Sequence, residues 1–385
     1  LSIAKNKAAG ISARESGLPI TNPTIAAPVQ PPFPFPVQLF NPAVYTSGGY
    51  TLGSGTYVQR IDYTNDTATA PTKGPLSAIT NYHSAVSSNS HGYAFGGPPG
   101  PGNSLIQRID YSNDTATAAP KGPLSRSKQS GSGTGNQSYG YYGGGSPGPR
   151  SEVDRIDYSN DTATAPTVAN LAQPVYRTYS GMGNKTYGYQ SGGQRPSTTG
   201  TTNVDRIEYA SDTSTGLLKG NLASSRYLQT ATGNLSYGYV CGGSPPFQNN
   251  SLVQRVDYGN DTATATPKGP LHQGSRKLTA TGTASYGYVA GGTNPDLSST
   301  TRIDYSNDTA TSVQKGSMTV TRQQFSSMSS PAYGYYTGGS YPTKSSTDRI
   351  DYANDTASAA PKGPLSVAVS NNSAASPQDI AGALN

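Results

Sequence analysis

The sequence has little of what catalytic and disulfide-bonded proteins commonly use: its 385 residues include one cysteine, three histidines and no tryptophan. The single cysteine, Cys241, excludes an intrachain disulfide framework and argues against a cysteine-based zinc site. Charged residues make up only 12% of the chain, unlike a highly charged disordered protein. No run of about 18 apolar residues occurs, so we expect no membrane span.

The few histidines give no catalytic pattern. His83, His91 and His272 lie at unrelated places in the sequence, and no acid or nucleophile recurs beside them. A phosphate-cradling glycine loop is also missing. We therefore predict that the protein is not an enzyme and that it has no catalytic residue, no metal and no cofactor.

Positive charge is present but dispersed. The formal net charge is +6, and the lysines and arginines are spread along the chain rather than clustered. Nucleic-acid binding needs a basic patch or stripe, so we expect no nucleic-acid partner.

Turn-forming and strand-forming residues are abundant in the chain. The chain contains 46 Gly, 30 Pro and 28 Tyr. Tyrosine and threonine favour strands, whereas glycine, asparagine and proline favour turns. This composition predicts an all-β protein of short strands joined by tight turns.

Two phrases recur seven times. The first is Arg, then Ile or Val, then an acid and Tyr, and it begins every 47 to 51 residues, at Arg60, Arg108, Arg155, Arg206, Arg255, Arg302 and Arg349. The second is a tyrosine-rich strand that ends in a glycine pair, at Gly48-Gly49, Gly96-Gly97, Gly143-Gly144, Gly192-Gly193, Gly242-Gly243, Gly291-Gly292 and Gly338-Gly339. A strand-rich period close to 50 indicates one four-stranded propeller blade per repeat.

The order of these phrases resembles kelch repeats: a strand ending in Gly-Gly, a variable loop, a strand ending in Asp-Tyr, and a turn. The resemblance covers about residues 43–376 and departs from kelch in lacking tryptophan, so blade packing must rely on tyrosine and aliphatic residues. It implies a seven-bladed β-propeller of four-stranded blades. Residues 1–42 then form an extended N-terminal arm, and residues 377–385 a C-terminal tail.

One repeat shows the expected strands and their faces. Between Leu222 and Leu271 we predict four strands, and alternation along the third places Arg255 and Asp257 on one face. Seven such arginine and acid pairs would form a ring between blades and fix their register. The predicted strands are Tyr227–Thr232, Tyr237–Cys241, Leu252–Tyr258 and Thr262–Thr266.

The ends of the repeat array are offset. The N-terminal repeat starts with a second strand, at Val44, whereas residues 365–375 resemble a first strand that has no second strand after it. We therefore predict that the C-terminal strand completes the first blade and closes the ring, which removes free sheet edges.

One recurring tripeptide and one recurring dipeptide each allow more than one interpretation. Asn-Asp-Thr, which follows the third strand in six repeats from Asn65 to Asn354, fits a turn, an N-glycosylation sequon or, less well, an ion site. Lys-Gly precedes the next blade in six repeats from Lys73 to Lys362. Its lysines are either solvated turn residues or a basic ring that faces an anionic partner.

The loops between the glycine pair and the third strand differ most among the repeats. Variation confined to one set of loops on a repeated scaffold indicates a recognition surface. The candidate ligand-binding residues in these loops are Arg195, Phe247, Asn249, Tyr341 and Lys344.

The N-terminal arm differs in composition from the repeats. Phe33, Phe35 and Phe40 are half of the six phenylalanines in the chain and lie among prolines, which favour an extended conformation that cannot bury these rings by itself. We expect them to pack on another surface, either the disc or, preferentially, a neighbouring protein subunit.

The repeated phrases, with Tyr-Gly-Tyr and Gly-Gly, are also similar to kelch-type repeats in virion proteins of marine tailed phages. That resemblance implies a structural protein of an extracellular virion, held by its N-terminal arm and acting as a decoration, fibre or adhesion module. The alternative is a secreted or cell-surface propeller that binds carbohydrate, such as a host-surface glycan, through its tyrosine- and asparagine-rich loops.

Overall fold

In the part of the chain that the structure describes, twenty-seven short strands form seven antiparallel sheets, one for each repeat. The computed structural model describes residues 43–49, 55–97, 103–177, 180–196, 199–213, 217–244, 250–293 and 295–375. The arm, the C-terminal tail and the loop residues Phe247 and Asn249 lie outside these ranges. Within them, one 3-10 turn at Tyr352–Asn354 is the sole helical element.

The sheets are numbered as blades from the N-terminus, and the strands of blades 1 to 4 run as follows. Blade 1 comprises β1 (Ala43–Ser47), β2 (Val58–Asp62) and β27 (Ser373–Ala375). Blade 2 comprises β3 (Ser84–Ser87), β4 (His91–Phe95), β5 (Ile106–Asp110) and β6 (Ala119–Lys121). Blade 3 comprises β7 (Ser132–Gly135), β8 (Tyr139–Gly143), β9 (Arg150–Asp157) and β10 (Thr167–Val175). Blade 4 comprises β11 (Gly181–Gly183), β12 (Tyr187–Ser191), β13 (Thr201–Glu208) and β14 (Leu218–Arg226).

Blades 5 to 7 repeat the same order of strands. Blade 5 comprises β15 (Thr230–Gly233), β16 (Tyr237–Cys241), β17 (Val253–Asp257) and β18 (Thr266–Lys268). Blade 6 comprises β19 (Thr279–Gly282), β20 (Tyr286–Ala290), β21 (Thr300–Asp304) and β22 (Val313–Lys315). Blade 7 comprises β23 (Ser326–Ser329), β24 (Tyr333–Thr337), β25 (Thr347–Asp351) and β26 (Ala360–Lys362).

The predicted seven-bladed propeller is confirmed, including its closure. The C-terminal strand β27 pairs with β1, so both ends of the repeat array meet in blade 1. The fourth position of that blade is an antiparallel bridge between Gln59 and Thr72. The first strands of successive blades contact one another around the ring, and β27 also contacts β3 of blade 2.

The core is divided among the interfaces between blades. Seven separate apolar clusters occur, and each combines residues of two adjacent blades. In the cluster between blades 4 and 5, Val256 and Tyr258 pack with Met182 and Tyr189. Gly238 of blade 5 lets these sheets approach, because a Cβ at this position would clash with the Met182 sulfur of blade 4.

Stacked tyrosines take the place of tryptophan at every interface. A second-strand tyrosine stacks on the tyrosine that directly follows the third strand of the next blade, as Tyr239 does on Tyr305. The ring centroids of the seven pairs lie 4.7–5.3 Å apart. The expectation that tyrosine and aliphatic residues hold the blades together is therefore confirmed.

Strand bounds in blade 5 differ from the prediction in an informative way. The second strand is as predicted and the third is one residue shorter at each end, but the first begins at Thr230, because Leu228 has a left-handed backbone with φ of 57°. The fourth strand begins only at Thr266, since Asn260 starts a turn in which its carbonyl accepts from the Ala263 amide.

The glycine pairs have a conformation that explains their recurrence. Both glycines of each pair have positive φ, and the second donates its amide to the segment that enters the next blade. In blade 3 the pair is Gly144-Gly145 rather than the predicted Gly143-Gly144. Gly143 is the last residue of β8 and pairs with Val153.

Candidate functional site

The variable loops and the segments that enter each first strand lie at the same end of the blades. In blade 5, the pairing of Thr230 with Cys241, and of Cys241 with Val253, brings the start of the first strand to both ends of the variable loop. Bridges between the two segments recur around the ring, such as Asn250 with Ser275. This end of the disc is called the loop face below.

Six residues at equivalent places on the loop face have a left-handed backbone although none is glycine. Each lies two residues before a first strand, and their φ values run from 47° to 58°. Such conformations cost about 1–2 kcal/mol for most residues. The six residues are Tyr82, Ser130, Leu228, Lys277, Gln324 and Asn371, and the corresponding stretch of blade 4 includes residues 178–179, outside the described ranges.

Backbone hydrogen bonds join these residues from blade to blade. The amide of Asn371 donates to the Gln324 carbonyl at 2.9 Å, and the amide of Ser130 donates to the Tyr82 carbonyl at 2.7 Å. Three more links of the same kind bind Tyr82 to Asn371, Gln324 to Lys277, and Lys277 to Leu228. We call these six residues the mouth ring.

The mouth ring surrounds a cavity of about 320 Å³ that opens on the loop face. All six members line it, together with small hydroxyl and glycine residues from the first strands. The volume lies at the lower end of the range for small-ligand sites, about 300–1,000 Å³. Neither the repeat phrases nor the loop variation pointed to this cavity.

Charge in the cavity comes from one side chain. Lys277 is the sole lysine, arginine, aspartate or glutamate among the described lining residues. Burial lowers its pKa, and the charges of Arg276 and Arg177 lower it further, while Asp296 raises it. His83 also lines the cavity, but burial lowers its pKa to about 4, so it is neutral at pH 7.

The described candidates from the variable loops are not among the residues that line this cavity. Tyr341 is 69% exposed, and Arg195 is exposed in the loop of blade 4. Lys344 holds its own loop, because its ammonium donates to the carbonyls of Ser340 and Pro342.

The predicted ring of arginine and acid pairs exists, but the acid is a different one. Arg255 binds Asp308 of the next blade at 2.8 Å, whereas Asp257 caps its own turn by accepting from the Gly259 amide. The same link occurs at all seven interfaces, including Arg349 to Asp66 between blades 7 and 1.

Each of these aspartates accepts hydrogen bonds from side chains on at least two strands of the preceding blade. Asp308 accepts from Tyr239 on the second strand at 2.9 Å, Arg255 on the third at 2.8 Å and Lys268 on the fourth at 3.0 Å. Burial opposes its ionisation, yet the Lys268 and Tyr239 hydrogen bonds prevail and lower its pKa. The members of this aspartate ring are Asp66, Asp114, Asp161, Asp212, Asp261, Asp308 and Asp355.

Neither interpretation of the Lys-Gly lysines holds for five of the six. Their side chains are only 9–14% exposed, and each pairs with an aspartate of the ring in the next blade. They are neither solvated nor presented to an anionic partner. These five are Lys73, Lys121, Lys268, Lys315 and Lys362.

The Asn-Asp-Thr turns serve the same ring. Asn65 is exposed and its carbonyl accepts from the Ala68 amide, which confirms the turn, while the adjacent Asp66 is buried in the interface. The turn therefore positions the aspartate that joins two blades.

The one thiol of the chain is buried in the core. Cys241 is fully buried, and burial raises the pKa of its thiol to about 12, so the thiol is protonated at pH 7. Across the described ranges, no three histidine, cysteine or acidic side chains come together in a way that could hold a metal ion. None of the helical structure in those ranges is long enough to cross a bilayer.

Comparison of the sequence with protein-family models and with curated proteins gives no match. The seven-bladed architecture is compatible with kelch-like repeats, and a propeller fits an interaction or structural role.

Proposed function

We propose that this protein is a non-enzymatic structural and interaction component of a virion, anchored by residues 1–42 and presenting the loop face of its propeller. One observation carries the proposal. The repeated charged and aromatic side chains join blades to each other, whereas the side chains that differ among blades collect on the loop face. A scaffold divided in this way suits recognition by loops.

The virion part of the proposal has a narrower basis. It rests on the similarity of the repeated phrases to kelch-type repeats of phage virion proteins, and on the phenylalanines of the N-terminal segment. Phe33, Phe35 and Phe40 are the residues we expect to contact other subunits of the particle.

The experiment compares incorporation of three chains into the native particle: full length, a chain without residues 1–42, and one with Phe33, Phe35 and Phe40 changed to serine. Removing residues 1–27 is the matched control, because it keeps the proline and phenylalanine segment. We expect the chain without residues 1–42 and the chain with the three serine substitutions to fold but fail to incorporate. The control that lacks only residues 1–27 should incorporate. Incorporation of the chain that lacks residues 1–42 at the full-length level would contradict anchoring by the arm.

A second candidate is a secreted or cell-surface carbohydrate-binding propeller. It is favoured by the exposed Tyr341 and by the hydroxyl and amide groups around the cavity of the loop face. A glycan array tests it, and an array without binding at high protein concentration would count against it.

A further inference from the structure

We infer that the cavity inside the mouth ring binds one small acidic saccharide, with Lys277 pairing with its carboxylate. The inference specifies a ligand for the loop face and so rests on the interaction role proposed above. It begins from backbone strain. Left-handed residues that are not glycine cost stability, persist only where the surrounding structure holds them, and cluster at functional sites.

Most of the residue types at these strained positions do not favour a left-handed backbone. Asparagine and glycine tolerate it best, yet only Asn371 is of this kind, and the other five members of the mouth ring include Tyr82, Lys277 and Gln324. A large aromatic ring, an ammonium group and two amides thus border one cavity.

Buried polar atoms of the lining still have hydrogen-bonding capacity. The Asn372 amide is 9% exposed, and neither its oxygen nor its nitrogen has a partner within the described residues. Gln229 is 1% exposed; its nitrogen binds Ser180, but its oxygen has no partner there. Unsatisfied buried polar atoms destabilise a fold, so rotation of the Asn372 and Gln229 side chains toward a polar ligand in the cavity would be favourable.

The charge of the cavity selects an anion. Lys277 has no carboxylate partner in the described lining, and its ammonium donates to the neutral Gln323 amide at 3.2 Å. Arg276 and Arg177 add positive charge nearby, against the single acid Asp296. Asp296 is already engaged by Thr293 and Gln323.

The remaining chemistry selects a hydroxylated anion over a simple one. Serine and threonine hydroxyls, such as those of Ser132 and Thr279, line the cavity beside the amides and can exchange hydrogen bonds with sugar hydroxyls. Tyr82, which lines the cavity and is 36% exposed, supplies an aromatic ring for the apolar side of a sugar. Because the described ring holds only one lysine, one ligand binds per chain, rather than one per blade.

The test is calorimetric titration of the full-length protein with glucuronate, with glucose as the neutral match and sulfate as the simple anion. We expect one glucuronate per chain, bound at least tenfold more tightly than either glucose or sulfate. Binding of several molecules per chain, equal affinity for glucose, equal affinity for sulfate, or no binding of glucuronate would each overturn the inference.

Variants locate the site. Lys277→Gln should weaken glucuronate binding at least tenfold, and Tyr82→Asn should weaken it severalfold. Lys185→Gln, which removes an exposed lysine from the turn between β11 and β12, should leave it unchanged. Lys277→Asn, which suits the left-handed backbone, replaces Lys277→Gln if that variant melts early. A protein that incorporates into its particle but binds no glucuronate would overturn this inference and leave the proposed function standing.

Discussion

The aspartate ring and the mouth ring are built from the same blades, but the first repeats its side chains and the second repeats only its backbone conformation. In the aspartate ring, every blade supplies the same carboxylate, and the preceding blade supplies the same tyrosine and arginine. In the mouth ring, equivalent positions share a strained backbone but carry unrelated side chains. Repetition thus marks the contacts that close the disc, and variation marks the surface that we propose recognises a partner.

The largest expected effect comes from opening the ring. Deleting residues 365–385 removes β27 and the buried Leu365 and Val369, and exposes one edge of β1. We expect the melting temperature to fall by about 10 °C or more, or the chain to aggregate. Deleting only residues 376–385 keeps β27 and serves as the control. An unchanged melting temperature after the longer deletion would show that closure does not stabilise the disc.

Removing one carboxylate of the aspartate ring should be the next most damaging change. Asp308→Ala leaves Arg255, Lys268 and Tyr239 without their shared acceptor. We expect a loss of about 3 kcal/mol in the free energy of unfolding, measured by denaturant titration.

The matched control for that variant is Asp257→Ala, in the same repeat phrase as Arg255. Asp257 caps an exposed turn, so its loss should cost about 1 kcal/mol or less. Equal effects of the two substitutions would remove the distinction between the ring aspartate and the turn aspartate.

A position that varies among blades should give effects of opposite sign. Asp154 and Asp205 precede the arginine of blades 3 and 4, and Asp154 forms a fully buried ion pair with Lys128. Asp205 is 5% exposed and accepts from the Ala172 amide, and burial raises its pKa to about 6. Its carboxyl therefore binds protons more tightly in the folded protein than in the unfolded chain, so stability from this group decreases as pH rises between about 4 and 6.

We expect Asp205→Asn to increase stability at pH 7.5 by about 1–2 kcal/mol and to change little at pH 3.5, where the carboxyl is protonated. Asp154→Asn should instead decrease stability by about 3 kcal/mol at pH 7.5, because it leaves the Lys128 ammonium unpaired. Thermal melts of the two variants at pH 7.5 and pH 3.5 test both predictions. Destabilisation by Asp205→Asn at pH 7.5 would mean that the buried carboxylate is stabilised by its surroundings.

The smallest effect is expected in the mouth ring. Asparagine tolerates the left-handed backbone better than tyrosine, so Tyr82→Asn should be neutral or stabilise the fold by up to about 1 kcal/mol. Denaturant titration measures the stability of Tyr82→Asn, and Tyr305→Asn, which removes a tyrosine from a stacked pair, is measured for comparison. A clear loss of stability in Tyr82→Asn would indicate that this side chain serves packing.

The sequence predicted the parts of the fold that recur. The repeat count, the second strand of blade 5 and closure by the C-terminal strand followed from phrases that appear in every unit. The aspartate partner was missed because it lies 53 residues from Arg255, in the next repeat. A signal existed: blade 4 has Ser211 where the others have asparagine, yet it keeps Asp212.

The mouth ring had no comparable signal. Its members share a backbone conformation but no residue type, and a left-handed backbone is expected at glycine or asparagine rather than at Leu228 or Lys277. Their approach to one cavity depends on closure of all seven blades. Local patterns could indicate the loop face, through Arg195 and Tyr341, but not the cavity within it. Phe247 and Asn249 lie outside the described residues, so their predicted role stays a prediction.

The order of strands in blade 1 has a mechanical consequence. Tension along residues 1–42 enters the disc at Ala43, the first residue of β1, and β1 lies between β2 and β27. The load is therefore shared by two antiparallel ladders instead of one. Pulling β1 along its own axis would require shearing it past both of its neighbours, so the strand that follows residues 1–42 is also the strand that closes the ring.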